Sequence, residues 1–416
     1  MIVGDEALIG SDLLASTSVK PIRKKRFFNS LICIKALSMD AKAIAIPQAT
    51  TLLATATKPR WLLHPAIDLF MIGGCSLVLF LLTHLFIDRN ANTSRMSWIM
   101  FYLAFAVNNP HFAASYVLLY CDKRRELFSN PRFFWAGVVM PSLLIAYMAA
   151  CIAATSPKYL SYAVSVMYFT VGWHYIKQIY GTIVVTAARR GYYFSKTESL
   201  VLKFNLYPIW FLSFFSGNLA VREILHYGIG YHTFAVPAYI MPLNYSLILV
   251  SLGAVALVLG RRWWRSGQLP GWSAACSFVA IYIWYLPSLY HSIFWFAIPF
   301  FHSLQYLLFV TTLKKNEYAA NAMGEGLGNA DVRRRFVKQS LKFAALIGIL
   351  GYLAFDGVPF FLDNFVLTYD KLVFGPQLAM FVFITFINIH HYFIDNVLWR
   401  HDNPTLRAYL SLSARP

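Results

Sequence analysis

The segment Phe383–Arg400, FITFINIHHYFIDNVLWR, places two adjacent histidines and an aspartate inside an apolar run. A charged side chain at the centre of a bilayer costs about 3 kcal/mol on insertion scales, so polar residues in a spanning helix are candidates for function. His391 and Asp395 are four residues apart, which places them one turn apart on one face of a helix. The segment therefore predicts a membrane helix that carries part of a polar site.

The composition is typical of an integral membrane protein. Of the 416 residues, 58% are hydrophobic and 13% are charged, whereas soluble proteins carry about 25% charged residues. The net charge of +18 arises from short Lys and Arg clusters between apolar runs, which is typical of cytoplasmic loops and not of a nucleic-acid-binding face. We therefore expect membrane lipids, and no nucleic acid, as partners. The five cysteines have no paired spacing and predict no disulfide framework.

Ten windows are long and apolar enough to span a bilayer, which requires about 20 residues. They lie at about 66–87, 97–120, 134–156, 159–187, 204–221, 235–260, 271–290, 291–313, 339–356 and 375–398. Basic clusters precede the first window and follow every even-numbered one, whereas few basic residues follow the odd-numbered windows. By the positive-inside rule, this alternation predicts ten helices with both termini in the cytoplasm. The predicted fold is an all-α, polytopic bundle in the plasma (inner) membrane.

The rest of the chain divides into regions around this bundle. Residues 1–60 are mixed in composition and contain the basic run IRKKR at Ile22–Arg26, which favours a poorly ordered cytoplasmic arm. Residues 61–400 are predicted to form the ten-helix domain, in which residues 314–339 form a flexible or partly helical cytoplasmic loop. Residues 401–416 are predicted to be a cytoplasmic tail.

Five of the eleven histidines fall at a similar depth in the predicted bundle. They lie about nine to fourteen residues before the cytoplasmic ends of the second, fourth, eighth and tenth predicted helices: His111, His174, His302, His390 and His391. At 1.5 Å per residue these offsets differ by about 8 Å, which a helix tilt of about 20° absorbs. Because the four helices run in the same direction, we expect these histidines to form one layer.

Polar residues one turn from the histidines are candidates for a supporting role. Three of them each follow one of these histidines by four residues: Gln178, Tyr306 and Asp395. A neighbour at this spacing can fix the tautomer of an imidazole on its own or another helix. We assign these three as candidate catalytic residues, with Asp395 as a metal ligand or as the partner of one. Lys177 is expected to extend toward the cytoplasmic head groups.

The histidine layer predicts a metal site. Neutral imidazole is the commonest metal ligand and suits iron, copper and zinc. Several histidines with one carboxylate in apolar surroundings suit a mononuclear or dinuclear non-haem iron or copper centre that activates oxygen, with iron the first choice. His390 and His391 diverge by about 100° around a helix, so both are ligands only if the site spans a broad face or holds two metals.

This arrangement resembles the polyhistidine membrane oxygenases and desaturases, including those that cleave or modify carotenoids and other isoprenoids. The resemblance implies an oxidoreductase, of oxygenase, desaturase or hydroxylase type, that takes a lipophilic substrate from the bilayer. Since the sequence shows no flavin or iron–sulfur module, such an enzyme would need an external electron donor. The HxxxH and HxxHH boxes of that class are absent and the histidine doublet is His390–His391, so no residue roles are transferred.

Other classes of protein could use the same residues. A b-type haem or quinone protein would use pairs of these histidines, facing each other, as axial ligands. A proton-coupled transporter would use them together with Asp395 and Lys177, although the sequence shows no matching halves with interrupted helices. A metal-independent membrane acyltransferase would use one histidine as general base near an asparagine such as Asn108, Asn109 or Asn388. A purely structural role leaves the common depth of the histidines unexplained.

Overall fold

The computed structural model describes residues 61–87, 94–218, 223–325, 328–400, 402–403, 406 and 409–410. Within them the chain forms a helical bundle with one short hairpin. The helices are α1 Pro65–Phe86, α2 Ser94–Val117, α3 Arg124–Ser129, α4 Pro131–Ala153, α5 Pro157–Ala188, α6 Lys196–Ser216, α7 Ile240–Ser266, α8 Trp272–Tyr285, α9 Ser292–Gly324, α10 Asn329–Tyr352, α11 Lys371–Phe374 and α12 Leu378–Leu398. The predicted arm at residues 1–60 lies outside the described residues, as does most of the predicted tail.

Seven of the described helices are long and apolar enough to cross a membrane. They are α1, α4, α7, α8, α9, α10 with its continuation to Val366, and α12. The structure therefore confirms a helical bundle of membrane-protein type. Helices α2, α5 and α6 coincide with predicted windows, but buried polar residues such as Asn109, His174 and Asn205 lower their hydropathy. The count of ten spans and the sides of the termini stay predictions.

Helices α9 and α12 form the interior of the bundle. In each of them 67% of the most apolar window is buried, compared with 22% in α1, α4 and α10. Helix α9 packs along α2, and α12 packs against α2, α4 and α5. Side chains on these two inner helices therefore face protein on most sides, which allows polar residues at membrane depth to find partners.

The region predicted as a cytoplasmic loop, residues 314–339, is largely helical. Helix α9 continues to Gly324 and α10 begins at Asn329. One reason is that the ammonium of Lys314 is buried and paired with Asp122 at 2.5 Å and with Glu317 at 2.9 Å. A buried charge that is paired with two carboxylates is typical of packed structure and not of a solvated loop.

A two-stranded antiparallel hairpin connects α6 to α7, and the sequence predicted no strand there. Its strands are β1 Glu223–His226 and β2 Ile229–His232. The turn between them has positive φ angles at Tyr227 (49°) and Gly228 (87°), which matches the right-handed twist of paired strands. Gly228 touches Gly375, where an added Cβ would lie 2.8 Å from the Gly228 carbonyl oxygen.

Helix α10 approaches the backbone of α2 directly beside His111. A Cβ added at Gly351 would lie 2.6 Å from the carbonyl carbon and oxygen of Asn109. Pro110, in the interior of α2, cannot donate the backbone hydrogen bond that a helix normally has at this position. Glycine at position 351 therefore allows two helices to touch where one of them already departs from regular hydrogen bonding.

We predict that Gly351→Ala destabilises the protein and that Gly348→Ala does not. The alanine methyl at 351 meets backbone atoms that cannot rotate away, so α10 must move. At position 348 an added Cβ has no atom within 4 Å, and alanine gains about 1 kcal/mol in helix propensity over glycine. Thermal unfolding of the purified protein in detergent measures both. Equal melting temperatures for the two variants would contradict the described contact.

Candidate metal centre

Four of the five predicted histidines meet in the interior of the bundle. They come from four different helices, α2, α5, α9 and α12: His111, His174, His302 and His391. One ring nitrogen from each lies within 4.8 Å of those of the other three. Their exposed fractions are 0%, 6%, 1% and 0%, respectively. These four residues are called the tetra-His cluster below.

The spacing of the nitrogens is compatible with a single metal ion. Two imidazole nitrogens bound to one ion at about 2.1 Å lie roughly 3.0 to 4.2 Å apart, depending on the bond angle. Nε2 of His174 lies 3.2 Å from Nε2 of His302, inside this range. All ring nitrogens lie within 4.8 Å of one another, a bound about 0.6 Å above this range, so side-chain rotations would have to bring the more distant nitrogens closer to a shared ion.

The four rings contact one another in a closed cycle. Neighbouring centroids lie 4.8, 4.8, 4.9 and 4.5 Å apart around the order His111, His302, His174, His391, with interplanar angles of 70° to 89°. The rings therefore surround one common centre in the interior of the bundle.

Several polar atoms of the site are buried without a hydrogen-bond partner. They are His111 Nε2, His302 Nδ1, both ring nitrogens of His391, and Asp395 Oδ2. Leaving a buried donor or acceptor unsatisfied costs about 1–3 kcal/mol each. A metal ion accepts lone pairs from nitrogen and carboxylate oxygen together. The donor set is thus compatible with a transition-metal ion, which would offset part of this cost.

The tautomer of His111 follows from its neighbours. The hydroxyl of Ser303 donates its one hydrogen to Asn108 Oδ1 at 2.9 Å and also lies 3.2 Å from Nδ1 of His111. Because that hydrogen is already used, Nδ1 of His111 must carry a proton and donate it to Ser303. The lone pair is then on Nε2, the unpaired atom, which is the arrangement that a metal-binding imidazole requires.

Asp395 is held so that one of its oxygens faces the cluster. Oδ1 accepts hydrogen bonds from Ser115 at 2.8 Å and Tyr306 at 3.1 Å, and these two hydroxyls also contact each other. Oδ2 lies 3.3 Å from Nε2 of His391 and 3.8 Å from Nε2 of His174. The carboxylate is therefore anchored at one oxygen and offers the other as a fifth donor.

His390 lies outside the cluster, although it belonged to the predicted ligand set. Its Nδ1 lies 2.8 Å from the hydroxyl of Tyr116 and its Nε2 lies 2.9 Å from the carbonyl oxygen of Ala136. Since a carbonyl only accepts, Nε2 carries the proton and Nδ1 accepts from Tyr116. Adjacent residues on a helix diverge by about 100°, so His391 faces the cluster and His390 faces α4.

The other two predicted catalytic residues, Gln178 and Tyr306, contact members of the cluster or Asp395 from outside the space that the four rings enclose. Gln178 donates to the carbonyl oxygen of His302 at 2.8 Å and lies 3.3 Å from Oε1 of Gln305, so its amide ties α5 to α9. Tyr306 binds Asp395, as described above, and its ring lies 4.3 Å from that of His111 between centroids. Gln178 thus helps to fix the position of His302, and Tyr306 helps to fix that of Asp395.

Two serines of the site were not predicted. Ser115 binds Asp395 and Ser303 binds His111. Ser115 follows His111 by four residues, the spacing that selected the other candidates, so the sequence contains a signal for it. Ser303 has no such signal, because hydroxyls in membrane helices commonly bond to a carbonyl of their own helix.

A cavity of about 550 Å³ connects the site to the protein surface. It lies between α5, α6 and α12, and its inner end contains His174, Tyr306 and Asp395. Its outer end contains the exposed side chains Lys177 and Lys203. The volume is in the range of about 300–1,000 Å³ that small-molecule sites occupy.

We predict that the purified chain binds one transition-metal ion per cluster and that His174→Ala and His302→Ala each lose most of it. Each substitution removes a nitrogen that faces the common centre. Elemental analysis of purified protein measures the metal content, and X-ray absorption counts the imidazole nitrogens around the ion.

His390→Gln is the matched control, since it changes the neighbouring histidine outside the cluster. It is expected to keep the metal content of the unmodified chain. A substoichiometric metal content in the unmodified chain that neither alanine variant changes would refute the metal site. A spectrum without several imidazole nitrogens would refute it independently of how well the variants fold.

We expect Asp395→Asn to weaken metal binding by about 10- to 100-fold, the usual effect of changing a group that supports or completes a metal site. Asparagine keeps an oxygen for Ser115 and Tyr306 but lacks the anionic Oδ2. Titration with a competing chelator measures the affinity. Asp356→Asn is the control, because Asp356 binds Asn109 at 3.1 Å and lies outside the cluster. Equal affinities in the two variants would exclude Asp395 as a donor.

Comparison with protein-family models, with curated proteins and with solved structures gives no match. The function is therefore argued from the geometry of the site.

Proposed function

We propose that the chain is an integral membrane metalloenzyme that oxidises a lipophilic substrate at an iron ion held by the tetra-His cluster. One observation carries the proposal: four imidazoles and Oδ2 of Asp395, most of them with unpaired buried atoms, converge at one place, and two of these five residues, His174 and Asp395, line a cavity that opens at the surface. A buried cluster without such access would suit a structural ion instead.

The donor set favours iron, with copper as the alternative. Several imidazoles together with a carboxylate suit both metals. The four imidazoles and Oδ2 of Asp395 would hold the ion. An iron ion in these surroundings would supply activation of molecular oxygen.

The residues of the chain would hold the ion, keep water out and admit the substrate. Asp395, fixed by Ser115 and Tyr306, neutralises part of the charge of the ion. The lining of the cavity includes Trp173 and Tyr392, which favour an apolar ligand. Hydroxylation or desaturation of such a ligand consumes one oxygen molecule, two protons and two electrons. The electrons would come from an external donor, because the sequence shows no flavin or iron–sulfur module.

A b-type haem is less compatible with the site. A porphyrin must lie flat between two opposed imidazoles, with the plane between them free of other side chains. In the tetra-His cluster, neighbouring ring centroids are 4.5 to 4.9 Å apart around one centre. The other two imidazoles would occupy the space that the macrocycle needs.

The test is a comparison of lipid extracts from cells that express the unmodified chain or His302→Ala. We expect the unmodified chain, and not the variant, to produce lipids that have gained one oxygen atom or lost two hydrogen atoms. Mass spectrometry under isotopically labelled oxygen detects both products.

The control for this comparison is His390→Gln, which is expected to give the same products as the unmodified chain. Labelled oxygen in the product supports an oxygenase, and desaturated product supports a desaturase. Identical extracts from the unmodified and His302→Ala strains, with iron bound and a reductant supplied, would overturn the proposal.

A further inference from the structure

The outer end of the cavity is basic. Three of its lining residues are cationic: Lys177 on α5, Lys203 on α6 and Arg400 after α12. Arg400 is paired with Asp402 at 3.1 Å. Among the described residues neither lysine lies in a salt bridge with a carboxylate, and Asp395 at the inner end is the one acidic side chain that lines the cavity.

Both lysines are held against the cavity by aromatic rings. Nζ of Lys177 lies 4.2 Å from the centroid of Trp173 and bonds to Oδ1 of Asn396 on α12. Nζ of Lys203 lies 4.8 Å from the centroid of Tyr180. The side chain of Lys177 therefore contacts protein groups at the entrance, and its extension toward the head groups stays a prediction. Cation–π contacts with lining residues keep both charges at the entrance.

The outer end of the cavity attracts anions. An anionic group there meets two cations, neither of which lies in a salt bridge with a carboxylate among the described residues. A cationic group would be repelled by both lysines. Charge interactions are stronger in partly buried surroundings than in water, so the entrance selects for an anion.

The position of Lys177 along α5 suits a lipid head group if α5 spans the bilayer as the sequence predicts. Helix α5 has 32 residues, about 48 Å at 1.5 Å per residue, so its ends extend beyond a hydrocarbon core of about 30 Å. Lys177 lies eleven residues before the end of α5 at Ala188, about 17 Å along the axis. With its long side chain, it reaches the boundary between acyl chains and head groups.

We propose that the cavity binds a single-chain amphiphile with an anionic head group, which lies between Lys177 and Lys203. Binding of this amphiphile does not depend on the proposed function. Its identification as the substrate rests on the proposed function. Lys177 and His174 are three residues apart, about 4.5 Å along the helix axis. The position that reacts would therefore lie within the first few carbons of the head group and not at the far end of the chain.

Binding of radiolabelled palmitate, hexadecyl phosphate and hexadecanol to the full-length protein in lipid nanodiscs tests the proposal. The three probes share one apolar chain and differ in head group. We expect at least one of the two anions to bind more tightly than hexadecanol. Lys177→Gln and Lys203→Gln should each weaken binding of that anion about tenfold, as expected for loss of a charge-assisted contact, and leave hexadecanol unchanged.

Lys196→Gln is the matched control, because Lys196 is an exposed lysine at the start of the same helix α6, away from the cavity. Equal binding of both anions and hexadecanol would overturn the proposal, as would lysine variants that match Lys196→Gln. The preference between palmitate and hexadecyl phosphate assigns the head group as carboxylate or phosphate. Metal content is measured in the same samples, so failure of the metal site and failure of this proposal give separate results.

Discussion

Burial of four imidazoles and a carboxylate in the interior of the bundle is the constraint on which the rest of the structure depends. Polar groups at membrane depth must find partners inside the protein. Ser303 serves His111 in this way, and Ser115 and Tyr306 serve Asp395. These partners come from neighbouring helices, so satisfying the site fixes the rotation of α2, α9 and α12 relative to one another. The inner position of α9 and α12 follows from the same requirement.

The surrounding packing keeps the site compact. Gly351 lets α10 lie against α2 one residue before Pro110, and Gln178 ties the backbone at His302 to α5. Phe112 packs beside His391 with their ring centroids 4.6 Å apart, and Phe355 packs against Phe112 at 5.0 Å. These apolar side chains shield one side of the site. The site is therefore supported by close helix contacts and not by a few long side chains.

The sequence predicts how far along a helix a residue lies better than it predicts which neighbouring helix its side chain faces. Hydropathy located the helices, and counting residues from their ends placed the histidines in one layer, because both depend only on position along the chain. The choice between His390 and His391, and the contact of Ser303 with His111, depend on how each helix is rotated toward its neighbours. A single sequence gives no direct information about the rotation of each helix relative to its neighbours. The hairpin at β1 and β2 was missed because its short strands carry no long periodic pattern.

The cavity opens on the flanks of α5 and α6, where Lys203 and Tyr207 are exposed. A substrate that enters there from the bilayer, as proposed above, would arrive by diffusion in two dimensions, and its effective concentration would be its mole fraction among the lipids. The turnover rate of such a protein would saturate as the mole fraction of substrate in the membrane rises. It would not depend on the total amount of substrate in the suspension. Dilution by inert lipid would slow it, whereas dilution of the whole suspension with buffer would not.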